Sequence, residues 1–429
     1  MRLISIAFDR LPLRSLLAVA LLALLAGCAM PASRQSATAS EPPLTAMPAA
    51  PVVVDPRWPV SVGDYRTTSG EVYIANLDAR ISEYRRVLGK SPSASLRTAL
   101  ASALYHRFKI IGKLEDAERA LEVVDEAVRE EPDEPSHRLM RATIYSALHR
   151  FVAAEADLAV AAEAENSPEV HRAQREIDLA LGRYDRLAEE FKPTLPPTED
   201  FYELVHRADL ALMQGNLEAA NFLFRSAQIA YRDVNPVPLA WLHVQRGIGS
   251  LRFGDAANAL PFFAMAHARM PRYYLATEHL AESLTRLGKY DEARKLYLEV
   301  IAETGNPEFI AALAALEKAA GNAEAAVARS TEAKAGYAAL YARHPDAYAQ
   351  HYAEFLLDSG DSSQANTLAE RNIKLRQDVG SWILLSRVAE ANNEHARACE
   401  ALRKALETGR NPPELSKLTA LAERCAKRG

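Results

Sequence analysis

The chain has 429 residues, a formal net charge of −5, 49% hydrophobic and 25% charged residues. That length exceeds what one compact core organises, so the apolar residues must be buried in two or three domains or along an extended repeat array. Alanine and leucine dominate while glycine, at 18 residues, is sparse, which favours helices and disfavours a β-sandwich or a doubly wound sheet. A mildly acidic chain without a Lys/Arg run lacks the electrostatic footprint of a nucleic-acid binder, and no nucleic acid is expected as a partner.

Arg2, Arg10 and Arg14 precede an apolar run from Leu16 to Ala26, the charged n-region and short h-region of an export signal. A membrane-spanning helix needs about 20 apolar residues, so this run predicts a cleaved signal over residues 1–27. It ends in Leu25, Ala26, Gly27 and Cys28, a tetrapeptide that resembles the lipobox of bacterial lipoproteins. The resemblance implies that the Cys28 thiol receives a diacylglycerol, that the signal is cut before it, and that the new α-amino group takes a further acyl chain such as palmitate. Two or three chains anchor stably where one is marginal. Ala29, not Asp, follows Cys28, which in a Gram-negative cell implies the outer membrane, with the body facing the periplasm. The lipid anchor is the one membrane contact expected.

Residues 28–70 carry Pro31, Pro42, Pro43, Pro48, Pro51, Pro56 and Pro59 among Ser, Thr and Ala, with no helical periodicity. Such a segment is an extended tether, rising about 3 Å per residue where it is polyproline-like. Residues 71–97 follow as an N-terminal capping helix, then a repeat array over 98–411 and a C-terminal capping helix over 412–429.

The array is timed by small residues. Gly215 with Ala220, Gly254 with Ala259, Gly288 with Ala293, Gly321 with Ala326, and Gly360 with Ala365 form pairs 33 to 39 residues apart. His149 with Ala154, Gly182 with Leu187, and Asn393 with Ala398 extend the series. Pro132, Pro168, Pro236, Pro271, Pro307, Pro345 and Pro412 keep the same time and mark the passage between hairpins. A period near 34 predicts helical hairpins. Leu287, Gly288, Lys289, Tyr290, Asp291, Glu292 and Ala293, with Tyr297 behind them, resemble the inter-helix turn of tetratricopeptide repeats. The resemblance implies an all-α superhelix, a solenoid of about nine hairpins with charged capping helices at its ends. The third hairpin departs from the pattern, with Arg175 and Asp178 where small or apolar residues are expected.

The same resemblance implies a concave wall made by the first helix of each hairpin, lined in the fourth by Tyr202, Val205, Asp209, Leu212 and Met213. In the fifth the implied lining is Trp241, Val244, Ile248, Leu251 and Arg252, and in the sixth Glu278, Glu282, Thr285 and Arg286. An apolar strip of Tyr202, Met213, Trp241, Val244 and Ile248, edged by Arg252 and Arg286, has the make-up of a peptide-binding groove. The same residues also suit packing between neighbouring hairpins.

No metalloprotease, P-loop or nucleophile-elbow motif is present in the sequence, and no catalytic residue, metal or cofactor is expected. His344 and His351 read as surface histidines, and Glu278 and Glu282 as solvated carboxylates one helical turn apart. Cys399 and Cys425 lie 12 and 14 residues from a turn near residue 411, so antiparallel packing of the last two helices brings them to one height. That permits a disulfide, against two buried free thiols. The expectation is a lipid-anchored scaffold for protein or peptide partners in cell-envelope assembly. The alternatives are an envelope enzyme acting on carbohydrate or peptidoglycan, and a purely structural spacer.

Overall fold

The computed structural model describes residues 67–164, 167–187 and 198–427. Cys28, the export signal and the proline-rich segment up to residue 66 lie outside them. Among the described residues there is no strand, and the architecture is an α-α superhelix.

A first helix, α1 (Gly70–Leu88), stands in front of the array, and Ser93 then caps α2 by accepting from the Leu96 amide. The first hairpin therefore begins at Ala94, four residues before the position the repeat spacing suggested. It pairs α2 (Ala94–Ile111) with α3 (Leu114–Glu130), and the second pairs α4 (Pro135–Ala147) with α5 (Phe151–Ala164). In the third, α6 (Pro168–Leu181) is followed by a single 3₁₀ turn at Tyr184–Leu187. Next come α7 (Phe201–Met213) with α8 (Leu217–Ala230), α9 (Pro236–Arg252) with α10 (Ala256–Arg269), and α11 (Tyr274–Arg286) with α12 (Tyr290–Thr304). The last three hairpins are α13 (Pro307–Ala319) with α14 (Ala323–Arg343), α15 (Pro345–Asp358) with α16 (Ser362–Leu375), and α17 (Val379–Ala391) with α18 (His395–Glu407).

Many helix boundaries have a local cause. Pro135, Pro168, Pro236, Pro307 and Pro345 occupy the first turn of the inner helix of their hairpins, where the missing N–H has no intrahelical partner to lose. The small residue five positions after each turn is the contact between the two helices: Ala154, Ala220, Ala259, Ala293, Ala365 and Ala398 are fully buried, letting the backbones approach closely. The C-terminal cap is two helices rather than the single one expected, α19 (Pro413–Ser416) and α20 (Thr419–Ala426). A disulfide joins Cys399 on α18 to Cys425 on α20, with Cα atoms 5.6 Å apart.

The winding is tight enough for the chain to return onto itself. The turn at Gly112 lies against Tyr274 and Thr304, and Lys113 pairs with Glu303 at 2.9 Å. His149 Nδ1 meets the Asp346 carbonyl at 3.1 Å, the Gln377 amide donates to the Leu181 carbonyl at 3.2 Å, and the Asn411 amide donates to the Met213 carbonyl at 2.9 Å. Glu118 receives both Arg343 and His344, the latter at 2.7 Å. The turns of the first four hairpins thus sit on segments five to six hairpins further on, and the superhelix closes one turn and lays the next upon it.

Turn glycines divide accordingly. Gly182 and Gly215 have φ of 73° and 77°, and a Cβ there would fall 2.6 Å from the Asp378 amide nitrogen and the Asn411 carbonyl oxygen respectively. Gly254, Gly288, Gly321 and Gly360 share the left-handed backbone but face open space. Replacing Gly321 by Ala is expected to cost about 1 kcal/mol for backbone strain alone. Gly215→Ala is expected to cost about 1–3 kcal/mol more, because backbone of the next superhelical turn must move. Urea denaturation of the two variants measures the difference; equal costs would contradict the closed winding.

Candidate functional site

The inner wall carries two adjoining cavities that share Ile248 and Arg252. The smaller, about 140 Å³, lies between the third, fourth and fifth hairpins, and the structure places Tyr202, Met213, Trp241, Ile248 and Arg252 in its lining. The larger, about 320 Å³, is bounded by α9 and α11 and closed by Asn411 to Lys417 of the cap.

On α9 the lining residues are Trp241, Gln245, Ile248 and Arg252, spaced by four, three and four along one helical stripe. Val244 falls off this stripe; it is fully buried in the core and lines neither cavity, which corrects its assignment to the wall. Gln245, 1% exposed, holds the place instead. Strict 3.6-residue periodicity from Trp241 would have found it. Trp241 itself is 2% exposed, so its ring is both packing and lining. The third hairpin's contribution, Arg172, Arg175, Glu176 and Leu179, had no signal in the repeat pattern beyond the departure noted at Arg175.

The two arginines are not free rim charges. Arg252 makes a two-pronged pair with Glu414 of the cap, Nε to Oε1 at 2.9 Å and Nη2 to Oε2 at 2.7 Å. Arg286 donates to the Leu251 carbonyl at 3.0 Å and pairs with Glu282 at 2.5 Å. Both therefore fasten the wall, because a desolvated guanidinium needs an anionic partner.

Glu278 and Glu282 are likewise not solvated. They grip His279, whose Nδ1 lies 2.9 Å from Glu278 Oε2 and 3.0 Å from Glu282 Oε2, and whose ring stacks on Phe263 at 5.1 Å. Burial works against the imidazolium, but the Glu278 and Glu282 carboxylates outweigh it and hold its pKa up to about 10. Burial raises Glu278, while at Glu282 the opposing pull of His279 and Arg286 prevails over burial and lowers it. The three residues are also the one group among those described whose donor atoms converge closely enough for a metal ion. Arg286 adds a positive charge beside them through its pair with Glu282.

His344 and His351 do not meet the expectation of surface histidines either. His344 is 6% exposed and bound to Glu118, and burial drives His351 down to about 4.

The fold and its inner wall define an all-α solenoid of tetratricopeptide-like hairpins. A family model described as tetratricopeptide repeat matches residues 250–316, from the end of α9 into α13. No curated relative matches the chain by sequence. Similar solved structures include the human IFIT1 dimer with m7Gppp-AAAA, at 15% identity and a TM-score of 0.42, covering 82% of this chain and 86% of that one. Yeast Tom70 is also 15% identical, with a TM-score of 0.30 and coverage of 84% and 94%. PilW, a type IV pilus biogenesis factor, is 16% identical, with a TM-score of 0.30 and coverage of 57% and 93%. The ligands and partners of those proteins stay with them.

His279 gives a direct check on the site. Its folded pKa near 10 exceeds the unfolded value of about 6.5, so the stability it contributes is fully present below about pH 6.5 and lost as pH rises through about 10. Nuclear magnetic resonance of the imidazole protons is expected to place its midpoint near 10. A midpoint near the unfolded value would contradict the carboxylate clamp.

Proposed function

We propose that the chain is a lipid-anchored scaffold of the bacterial envelope, tethered through Cys28 to the outer membrane on its periplasmic side, whose inner wall holds extended segments of partner proteins. The pair of adjoining cavities on that wall, meeting at Ile248 and Arg252, carries the reading. They supply what a docked chain needs: apolar surface from Tyr202, Met213, Trp241 and Ile248, with polar groups set among it. Support for the anchor comes from the arginine-flanked apolar run and from Leu25, Ala26, Gly27 and Cys28. Among the described residues no helix is long and apolar enough to cross a membrane. The proline-rich segment between Cys28 and α1 then sets the reach of the body from the lipid surface.

A photo-crosslinking residue at Met213, half-buried on the wall, is expected to capture envelope partners in cells. The same residue at Val152, 79% exposed on α5, is expected to capture none of them. Cys28→Ser is expected to move the protein from the membrane fraction to the soluble one. Capture from Val152 alone, or membrane retention of the Cys28 variant, would contradict the respective half of the proposal.

A further inference from the structure

The smaller cavity has an unmet chemical demand. Asp209 Oδ1 and Gln245 Oε1 are both buried and have no hydrogen-bond partner among the described residues, and both residues line the cavity. A buried acceptor without a donor costs about 1–3 kcal/mol, so two of them on one small cavity describe a ligand that brings donors. The guanidinium groups nearby are engaged at other atoms, although the buried Arg175 Nε makes no hydrogen bond of its own among the described residues. Arg175 lies 3.9 Å from Glu203, Arg172 stands over the Tyr202 ring at 5.6 Å, and Arg252 is held by Glu414.

Resting on the reading of the inner wall as a peptide-binding surface, we propose that this cavity takes the basic side chain of an extended partner segment. Its aliphatic stem would lie on Leu212, Met213, Trp241 and Ile248, and its ammonium or guanidinium would donate to Asp209 and Gln245. The volume, about 140 Å³, is half or less of the roughly 300–1,000 Å³ typical of drug-sized ligands and suits one long side chain. An ionised acidic side chain would bring no donor to Asp209 and Gln245. A peptide rather than a free amine fits because the adjoining cavity, about 320 Å³, continues the wall beyond Ile248 and Arg252 and gives the rest of the segment a path.

Burial alone raises the Asp209 carboxyl well above its ordinary value, with no cation near enough to lower it. A cation entering the cavity would ionise it and release a proton. The charged and titratable groups facing the cavity with Asp209 are Arg172, Arg175 and Glu176 from α6, Asp200 at the cap of α7, Tyr202, Glu203 and His206 from α7, and Arg252 from α9.

The test is calorimetric titration of the full chain with capped alanine-based nonapeptides whose central residue is Lys, norleucine or Glu, and with cadaverine as the free amine. The Lys peptide is expected to bind about tenfold or more tightly than the norleucine peptide, with proton release, because a charge-assisted hydrogen bond is lost with the ammonium. Asp209→Asn, with circular dichroism and melting unchanged, is expected to abolish that preference, and Gln245→Leu to weaken it. Norleucine or Glu peptides binding as well as Lys, a preference that survives Asp209→Asn, or cadaverine matching the peptide would each overturn the proposal. Peptide binding without a Lys preference overturns this inference alone; no peptide binding at all overturns the wall reading beneath it.

Discussion

The return of the superhelix onto itself is the constraint from which the rest follows. Helical hairpins stacked at a fixed rotation expose one open wall when the pitch is large, and stability then comes from nearest-neighbour contacts alone. Here the Asn411–Met213 and Gln377–Leu181 backbone hydrogen bonds tie consecutive superhelical turns together. Tyr184 adds another tie by accepting from the Val379 amide at 3.1 Å, 195 residues away. Such contacts make a quasi-linear array behave more like a globule, with long-range closure opposing the independent fraying of its ends.

Closure also changes the dielectric setting of the inner wall. Side chains that would be solvated on an open groove are taken out of water, and each charge must then find a partner or lose its ionisation. Arg252 and Arg286 find partners in Glu414 and Glu282, and His279 finds two carboxylates. Burial moves Glu176 up and Lys109 down, each to about 8, with the attraction between them opposing both shifts. The wall is therefore a set of satisfied ion pairs interrupted by a few buried groups that are not satisfied.

Much of the hairpin frame was legible because its causes are local. A glycine turn followed five residues later by a buried Ala, and a Pro at the first turn of an inner helix, are recorded within one repeat, and so is the alignment of Cys399 with Cys425. The superhelical pitch has no such record. Arg252 and Glu414 are 162 residues apart, Glu118 and His344 are 226 apart, and each looks like an ordinary surface charge within its own helix. His149, at φ 55°, stands where most of the other turns use Gly and the last uses Asn393, and its reason, the Asp346 carbonyl, lies in another turn of the superhelix. Val244 and Gln245 show the same limit at the site: one step along α9 separates core from cavity, and the family spacing chose the wrong side of that step.

The contact between superhelical turns is open to direct test at Lys113 and Glu303, whose Nζ and Oε1 lie 2.9 Å apart. A zero-length carbodiimide reaction on the dilute protein, followed by mass spectrometry of the digest, reads whether that amine and that carboxylate are in contact. A Lys113–Glu303 isopeptide within one chain is the expected product. Coupling of Lys113 only to its sequence neighbours Glu115 and Asp116, with Glu303 untouched, would mean an open solenoid and contradict the account.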